Sequence, residues 1–431
     1  MTMAADKQDK VLNVPTLRFP EFNGEWVKYR VSDVLDFYST NSLSWDQLEY
    51  NTDELQNLHY GLIHVGLPTV VNLDENVLPN IKKEFLPKNY ELCREGDVAF
   101  ADASEDTNEV AKAIEFVNLS DKNVVCGLHT IHGRDNHNLT SIGFKGYSFA
   151  SESFHNQIRR IAQGTKIFSI SSKNFNECYM GIPSKDEQTK IAKLLALIDE
   201  RISTQSRIIE DLKSERKYLL EQLFCLPNER VPKLRLKGMT GEWQKVKLCY
   251  IANRVTEKNK ANTCNRVLTI AAQYGLIDQQ EFFNKQIASS DLTTYYLLHK
   301  GDFAYNKSYS GDYSWGAVKR LDKYDKGVIS SLYICFRPNE NVDSDFHCHY
   351  FESTKWYRGI SEISGEGARN HGLLNMSVDD YFNTLHRIPT LREQKAVANA
   401  LNVLVDKIDI GTEILNDLQK QKSYLLKEMF I

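Results

Sequence analysis

Apolar residues recur at alternating spacings of three and four over two long stretches of the chain. In the first they fall at Ile191, Leu195, Ile198, Ile202, Ile209, Leu212, Leu219 and Leu223. In the second they fall at Val397, Leu401, Leu404, Ile408, Leu415, Leu418, Leu425 and Met429. Interruptions keep the same phase, Gln205 and Arg216 in one stretch, Gly411 and Lys422 in the other. A spacing that averages 3.5 residues marks the seam of a paired helix rather than an ordinary amphipathic face. The pattern predicts a helix over 185–223, a rod of roughly 58 Å at 1.5 Å per residue, and a counterpart at the end of the chain. Pro183 and Pro389 stand just upstream and leave Glu187 and Glu393 in the first turn, where they read as dipole-facing, solvated residues.

The two stretches belong to a larger duplication. Residues 182–224 correspond to 388–430 without a gap, both beginning Ile-Pro and continuing to Glu-Gln (Glu187-Gln188, Glu393-Gln394). Leu17-Arg18 and Gly24-Glu25-Trp26 return as Leu234-Arg235 and Gly241-Glu242-Trp243, and 96–100 (GDVAF) answers 301–305 (GDFAY). A period above 200 residues is too long for a solenoid repeat and fits two domains. The division it predicts is a first domain over 15–181, a helix over 182–225, a second domain over 226–387 and a helix over 388–431. Within the domains, short β-rich runs at 97–101, 267–271 and 327–336 alternate with turn clusters and helical stretches such as 346–360. The expected fold class is α+β, two homologous mixed α/β domains joined by two long helices.

Composition narrows the function. The 431 residues are 42% apolar and 26% charged with a net charge of −4, the profile of a globular chain with two or three cores. No run of 18 apolar residues is present, the N-terminus has no hydrophobic signal core, and the expectation is a cytoplasmic protein without a membrane partner. Eight cysteines without a C-x-x-C pair read as reduced thiols, neither a disulfide frame nor a zinc site. Charge is unevenly spread: 31–130 hold 6 Lys/Arg against 18 Asp/Glu, whereas 229–260 hold 9 against 3. Local positive charge attracts phosphate whatever the total.

Catalytic motifs are missing. There is no GxxxxGK[ST] loop and no G-x-G-x-x-G, of which 365–367 (GEG) is the nearest imitation. An adenine methyltransferase would carry an Asn/Asp-Pro-Pro-aromatic motif, and the chain has no Pro-Pro pair. Glu393-Gln394-Lys395 imitates the E-x-K of a nuclease, yet a metal-assisted hydrolase needs a rigid carboxylate cluster. His129 with His132, and His347-Cys348-His349, lack a second pair of ligands, and no metal site is expected from them.

Several stretches together resemble the specificity (S) subunit of type I restriction–modification enzymes over almost the whole chain. They are LRFPEFNGEW (17–26) and its echo LRLKGMTGEW (234–243), GDVAFADASED (96–106), KGDFAYNKSYSGDYSWGAVKRL (300–321), GARNHGLLNMSVDDYF (367–382) and the two Ile-Pro…Glu-Gln helix heads. The resemblance implies two target recognition domains, each reading one half of a split site in double-stranded DNA. It implies an antiparallel coiled coil of the two helices that spaces the domains and docks two modification subunits. By the same resemblance this chain is noncatalytic. Modification subunits would use S-adenosylmethionine to methylate adenine N6, and a restriction subunit would use ATP and Mg²⁺ to cut DNA. The competing readings are a self-contained methyltransferase or nuclease and a protein-only coiled-coil adaptor.

Base reading needs groove-facing donors and acceptors, and phosphate contact needs cations. The DNA-contact candidates in the first domain are Arg134, Asn136, His137, Lys145, Tyr147, Arg159, Arg160 and Lys166, where the local charge turns positive. In the second they are Tyr305, Asn306, Lys307, Ser308 and Tyr309, then Trp315, Lys319 and Arg320, and the glycine-flanked Arg369, Asn370 and His371. The first domain has 100–106 (FADASED) where the second has the Tyr-Asn-Lys-Ser run. Its carboxylates read as structural, and the divergence predicts an asymmetric recognition sequence.

Overall fold

The computed structural model describes residues 13–52, 54–271, 275–283, 291–308, 313–364 and 374–431. The chain divides into two compact units, Met1–Arg207 with Glu413–Ile431, and Ile208–Thr412. This division cuts both long helices, Lys185–Gln222 and Leu391–Glu428, near their middles. Each unit therefore owns the start of one helix and the end of the other. In the first unit Ile191, Leu195 and Ile198 share a core with Leu425, Met429 and Phe430. In the second, Val397, Ala398 and Leu401 share a core with Leu220, Leu223 and Phe224. Within each unit the two helix segments thus run antiparallel. The residues of the three-and-four pattern are buried or half-buried, and off-pattern neighbours such as Leu197, Ile208, Val403 and Ile410 are exposed. No helix among the described residues is long and apolar enough to cross a membrane.

The duplication is written into the sheets. The first unit has a sheet ordered Asp36–Tyr38, Thr130–Arg134, Val98–Ala101, Ala113–Asn118 and Val70–Asn72. The second repeats the first four places with Ala252–Arg254, Ile334–Pro338, Phe303–Asn306 and Ala317–Arg320. A two-stranded ladder closes each unit beside its helix head, Val27–Arg30 on Tyr179–Ile182 and Gln244–Lys247 on Leu385–Ile388. The central strand Val98–Ala101 is buried on both faces. Val98 and Phe100 enter the core that holds the helices, while Ala99 and Ala101 enter a second, smaller one. Period-two alternation then yields a continuous apolar run instead of an in-out pattern. Phe303 and Tyr305 against Ala304 repeat the arrangement.

Two elements differ from the sequence expectation. The run 327–336 is two strands, Lys326–Ile329 and Ile334–Pro338, because a turn closed by the Tyr333 N–H on the Ser330 carbonyl (3.1 Å) separates them. The stretch 346–360 is likewise two helices, Ser344–Glu352 and Tyr357–Ile363. Ser353 breaks it by donating its hydroxyl to the Tyr350 carbonyl, and Glu221 then holds Thr354 and Lys355.

The second core carries its own acid sensitivity. His386 is fully buried, with Nδ1 paired to the Tyr350 hydroxyl and Nε2 to the Thr384 hydroxyl, both within 2.9 Å. Burial, and secondly the nearby His347, push its pKa down to about 3. The folded state therefore keeps this imidazole neutral while an unfolded one takes a proton below about pH 6.5. Stability present above that pH is expected to fall between pH 6.5 and 3, by up to about 1.4 kcal/mol per pH unit for this group. Denaturant titrations of wild type and His386→Gln at pH 7 and 5 check it; the wild type alone should show the extra loss.

Candidate nucleic-acid interface

The most repeated residues of the sequence meet in a buried clamp. Glu187 sits in the first turn of the central helix, yet it is buried. Its Oε1 accepts from Arg18 Nε at 2.7 Å and Trp26 Nε1 at 3.3 Å, and its Oε2 accepts from Arg18 Nη2 at 2.8 Å. Glu393 does the same with Arg235 at 2.8 Å twice and Trp243 at 3.2 Å. The Arg18 and Arg235 guanidiniums also donate to the carbonyls of Gly24 and Gly241, each at 2.6 Å. Those glycines have φ of +86° and +84°, a left-handed turn that a Cβ would strain. The reading of Glu187 and Glu393 as solvated dipole residues is therefore corrected: each is the acceptor that ties the Leu-Arg…Gly-Glu-Trp segment to its helix head. The nuclease-like run at 393–395 is disarmed by the same fact, since Glu393 is buried and committed. Gln188 and Gln394 extend the clamp. Each donates to the carbonyl of its upstream proline at 2.9 Å and accepts a backbone N–H, from Ser141 and Asp343 respectively.

Several candidate contacts turn out to be structural. Arg134 is buried, donates to Asp97, to Glu91 at 2.6 Å and to the Leu92 carbonyl at 2.8 Å, and lies 4.4 Å over the Tyr38 ring. Burial alone would disfavour its cation, but Asp97 and Glu91 outweigh it and the net pKa shift is upward. Lys145 is buried against Glu115 at 3.0 Å and Thr140 at 2.9 Å. Tyr147 is buried and donates to Asp199 at 2.9 Å. In the second unit Tyr305 is buried, donates to the Trp315 carbonyl at 2.9 Å and stacks on Tyr381. Lys319 is paired with Glu352, and Arg320 with Asp322 at 2.6 Å and Asp345 at 2.7 Å. In the structure these six side chains are engaged with internal partners. The physical reason is shared: each charge or hydroxyl meets a complementary group inside its own unit.

The remaining candidates are spread over different loops. Asn136 and His137 are exposed beyond the end of Thr130–Arg134, where Asn136 donates to Asp36 and Tyr38 at 2.7 Å each. Arg159, Arg160 and Lys166 are exposed on and after the helix Glu152–Ile161, and Arg159 donates to Asn108 at 2.7 Å. In the second unit Ser308 is exposed, Asn306 and Lys307 are half-buried, and the half-buried Trp315 packs against the core. Tyr309, Arg369, Asn370 and His371 lie outside the described residues.

The shared frame places a cleft at the same point of each unit. The match of 96–100 to 301–305 carries Asp102 onto Lys307, and the paired registers that set Ile131 against Ile334, continued two residues outward, carry His129 onto Leu332. The first cleft has a volume of about 630 Å³, with Asn41, Asn89, Tyr90, Glu91, Asp102 and His129 among its walls. The second, about 120 Å³, is lined by Arg254, Tyr296, Lys307, Leu332 and Tyr333 among others. The carboxylate of Asp102 thus stands where the cation of Lys307 stands in the other unit. Asp102 accepts from or shares a proton with His129 Nδ1 at 3.0 Å. Arg254 and Lys307 have no ion-pair partner among the described residues, and Leu332 is 74% exposed. An acidic wall suits the exocyclic amino groups of cytosine or adenine, and a cationic one suits guanine O6/N7 or phosphate. Sequence reasoning passed over Arg254, Tyr296 and Tyr333. Arg254 lay inside the basic 229–260 stretch, and the alignment of 100–106 with 305–311 pointed at the cleft.

No family model matches the chain, and no curated protein matches it. Solved structures do. The chain is similar to the S subunit of a type I restriction–modification system from M. genitalium at 16% identity and a TM-score of 0.53, covering 97% of this chain and 99% of that one. It is similar at 14% identity and a TM-score of 0.53 to a chain from a study of complex assembly and conformational transition in a type I R-M system, covering 93% and 96%. The HsdS subunit from Thermoanaerobacter tengcongensis aligns at 15% identity and a TM-score of 0.44, covering 93% and 95%. The fold shared across both units is the finding.

Proposed function

We propose that the chain is a noncatalytic DNA-specificity subunit of a type I restriction–modification complex, each unit reading one half of a split, asymmetric sequence. One observation carries the reading: two units share a strand order and a Glu–Arg–Trp clamp, yet their aligned clefts carry opposite charge. Duplicated scaffolds with divergent clefts suit a reader whose two half-sites differ. The fold likeness supports the same reading. The burial of Glu393 speaks against the nuclease alternative. The helix pair docks two modification subunits, which supply S-adenosylmethionine, and a restriction subunit supplies the ATP- and Mg²⁺-dependent chemistry. The complex acts in the cytoplasm.

Deleting the gene is expected to erase adenine methylation at a split motif in the host methylome; a methylome unchanged by the deletion overturns the proposal. Within the complex, Arg254→Ala with Lys307→Ala should change or relax one half of that motif and leave the other intact. Binding should also weaken and lose salt dependence, with the slope of log K against log salt falling by up to about 2 for two phosphate contacts. Asp102→Ala should alter the opposite half.

A further inference from the structure

The first unit contains a buried cluster that the DNA-reading function does not use. Cys93 Sγ and Cys126 Sγ stand 3.6 Å apart. They and a ring nitrogen of His132 lie within 4.8 Å of one another, and all three residues are buried. We infer that Cys93, Cys126 and His132 form a site for a thiophilic d¹⁰ cation of the zinc or copper(I) class. The cysteines are free in the structure, and four features of the geometry single out this pair with His132.

The sulfur separation is the first. Two thiolates on one tetrahedral zinc at 2.3 Å bonds stand about 3.8 Å apart, whereas a disulfide needs about 2.05 Å. The observed 3.6 Å, a distance that two thiols in S–H···S contact also adopt, lies close to the span of a shared cation and far from that of a disulfide. The second feature is His132. It is fully buried, its Nε2 is 2.7 Å from Asp97 Oδ2, and its Nδ1 has no partner. A carboxylate on one ring nitrogen with the other left for a cation is the usual outer support of a histidine ligand, fixing its tautomer and orientation. An orphaned nitrogen in a core is otherwise costly.

The duplicated unit supplies the third feature. The Cys93 N–H bonds the Val124 carbonyl at 2.8 Å, the place that Leu298 opposite Gly327 occupies in the other unit. His132 opposite Ala99 corresponds to Cys335 opposite Ala304, and Cys126 corresponds to Ile329. The second unit thus fills this point with Leu298, Ile329 and Cys335, all buried in an apolar core. The frame itself needs no polar group there. Only the first unit carries two thiols and an imidazole, and a bound cation would satisfy all three. Access is the fourth: Cys126 lines the 630 Å³ cleft, and a three-donor N₁S₂ set leaves one coordination position. On binding, each thiol releases its proton to solvent, and His132 coordinates as the neutral ring with its proton held on Nε2 towards Asp97.

The test uses the full-length chain purified without chelator, with cobalt(II) replacing zinc as a spectroscopic probe. About one equivalent of cobalt per chain should give thiolate-to-metal charge-transfer absorption in the near ultraviolet. Cys126→Ser and His132→Ala should each lose that band. Zinc should raise the melting temperature of the wild type, and an anaerobic copper(I) titration against a competing chelator separates the two cations. A triple variant carrying the other unit's residues, Cys93→Leu, Cys126→Ile and His132→Cys, should fold with a melting temperature indifferent to metal. That variant keeps the proposal testable where single variants fail to fold. Wild-type chain that binds no cation, with Cys93 and Cys126 found either as two free thiols or as a disulfide by mass, overturns the assignment. So does a charge-transfer band that survives in a folded Cys126→Ser variant. None of these outcomes bears on whether the chain reads DNA.

Discussion

Glu187→Ala and Glu393→Ala are each expected to destabilise their own unit by about 3–5 kcal/mol, the loss that follows when one partner of a buried ion pair is removed. The magnitude decides between two roles for the same residue. A carboxylate that merely faces a helix N-terminus contributes about 0.3–1 kcal/mol. Here each carboxylate accepts three bonds, two from an arginine and one from a buried tryptophan, across more than 140 residues of sequence. Removing it strands an indole N–H and a largely covered guanidinium together. Glu→Gln keeps two acceptor lone pairs but loses the charge, so its loss should lie between wild type and alanine. Denaturant unfolding of the three forms checks the order. Hydrogen exchange then localises the effect: Glu187→Ala should expose amides around 17–30 and 179–195, and Glu393→Ala those around 234–247 and 385–400. A loss below about 1 kcal/mol in both would return these residues to the dipole role.

The clamp shows what was legible in the chain and what was not. The duplication, the helix heads and the apolar seam could be read directly, because each is a local pattern or a comparison of the chain with itself. Contacts between repeated motifs could not. Arg18 and Glu187 recur at matching positions in both units, but recurrence does not reveal that the two touch. The internal partners of Arg134 and Lys145 were hidden for a related reason. Arg134 and Lys145 sit in a window of positive charge, and a window count treats that charge as facing solvent. Their partners, Glu91, Asp97 and Glu115, lie in the strongly acidic 31–130 segment. These pairs meet inside the fold, so the positive charge counted at Arg134 and Lys145 does not face solvent, while the 31–130 segment keeps its acidic excess. Exposed polar groups such as Lys166 and Ser308 retained their place at the surface because no strand or helix carries them inward. The alignment of the repeats set Asp102 against Lys307, but the walls of the cleft around each, Tyr296 and Tyr333 among them, come from segments that only the fold brings together.

Arg134→Ala should destabilise the first unit by about 3–5 kcal/mol, while its counterpart Arg337→Ala should cost the second only about 1 kcal/mol. Both arginines occupy the same strand position, and each donates to the aspartate of the repeated Gly-Asp turn, Asp97 or Asp302. Their surroundings differ. The Arg134 side chain is 6% exposed and also serves Glu91, the Leu92 carbonyl and the Tyr38 ring. Its removal leaves Asp97 buried with only His132 and the Arg94 N–H as partners. The Arg337 side chain is 52% exposed, so water screens the pair and can replace the guanidinium. Asp302 keeps the backbone N–H of His299 at 2.8 Å just as Asp97 keeps that of Arg94, so the difference lies in the exposure of the guanidinium. Thermal unfolding of the two single variants should therefore show a large gap in melting temperature. If instead Arg134→Ala unfolds like wild type and only DNA affinity drops, the guanidinium reaches nucleic acid and the internal ion-pair network around Asp97 does not hold it.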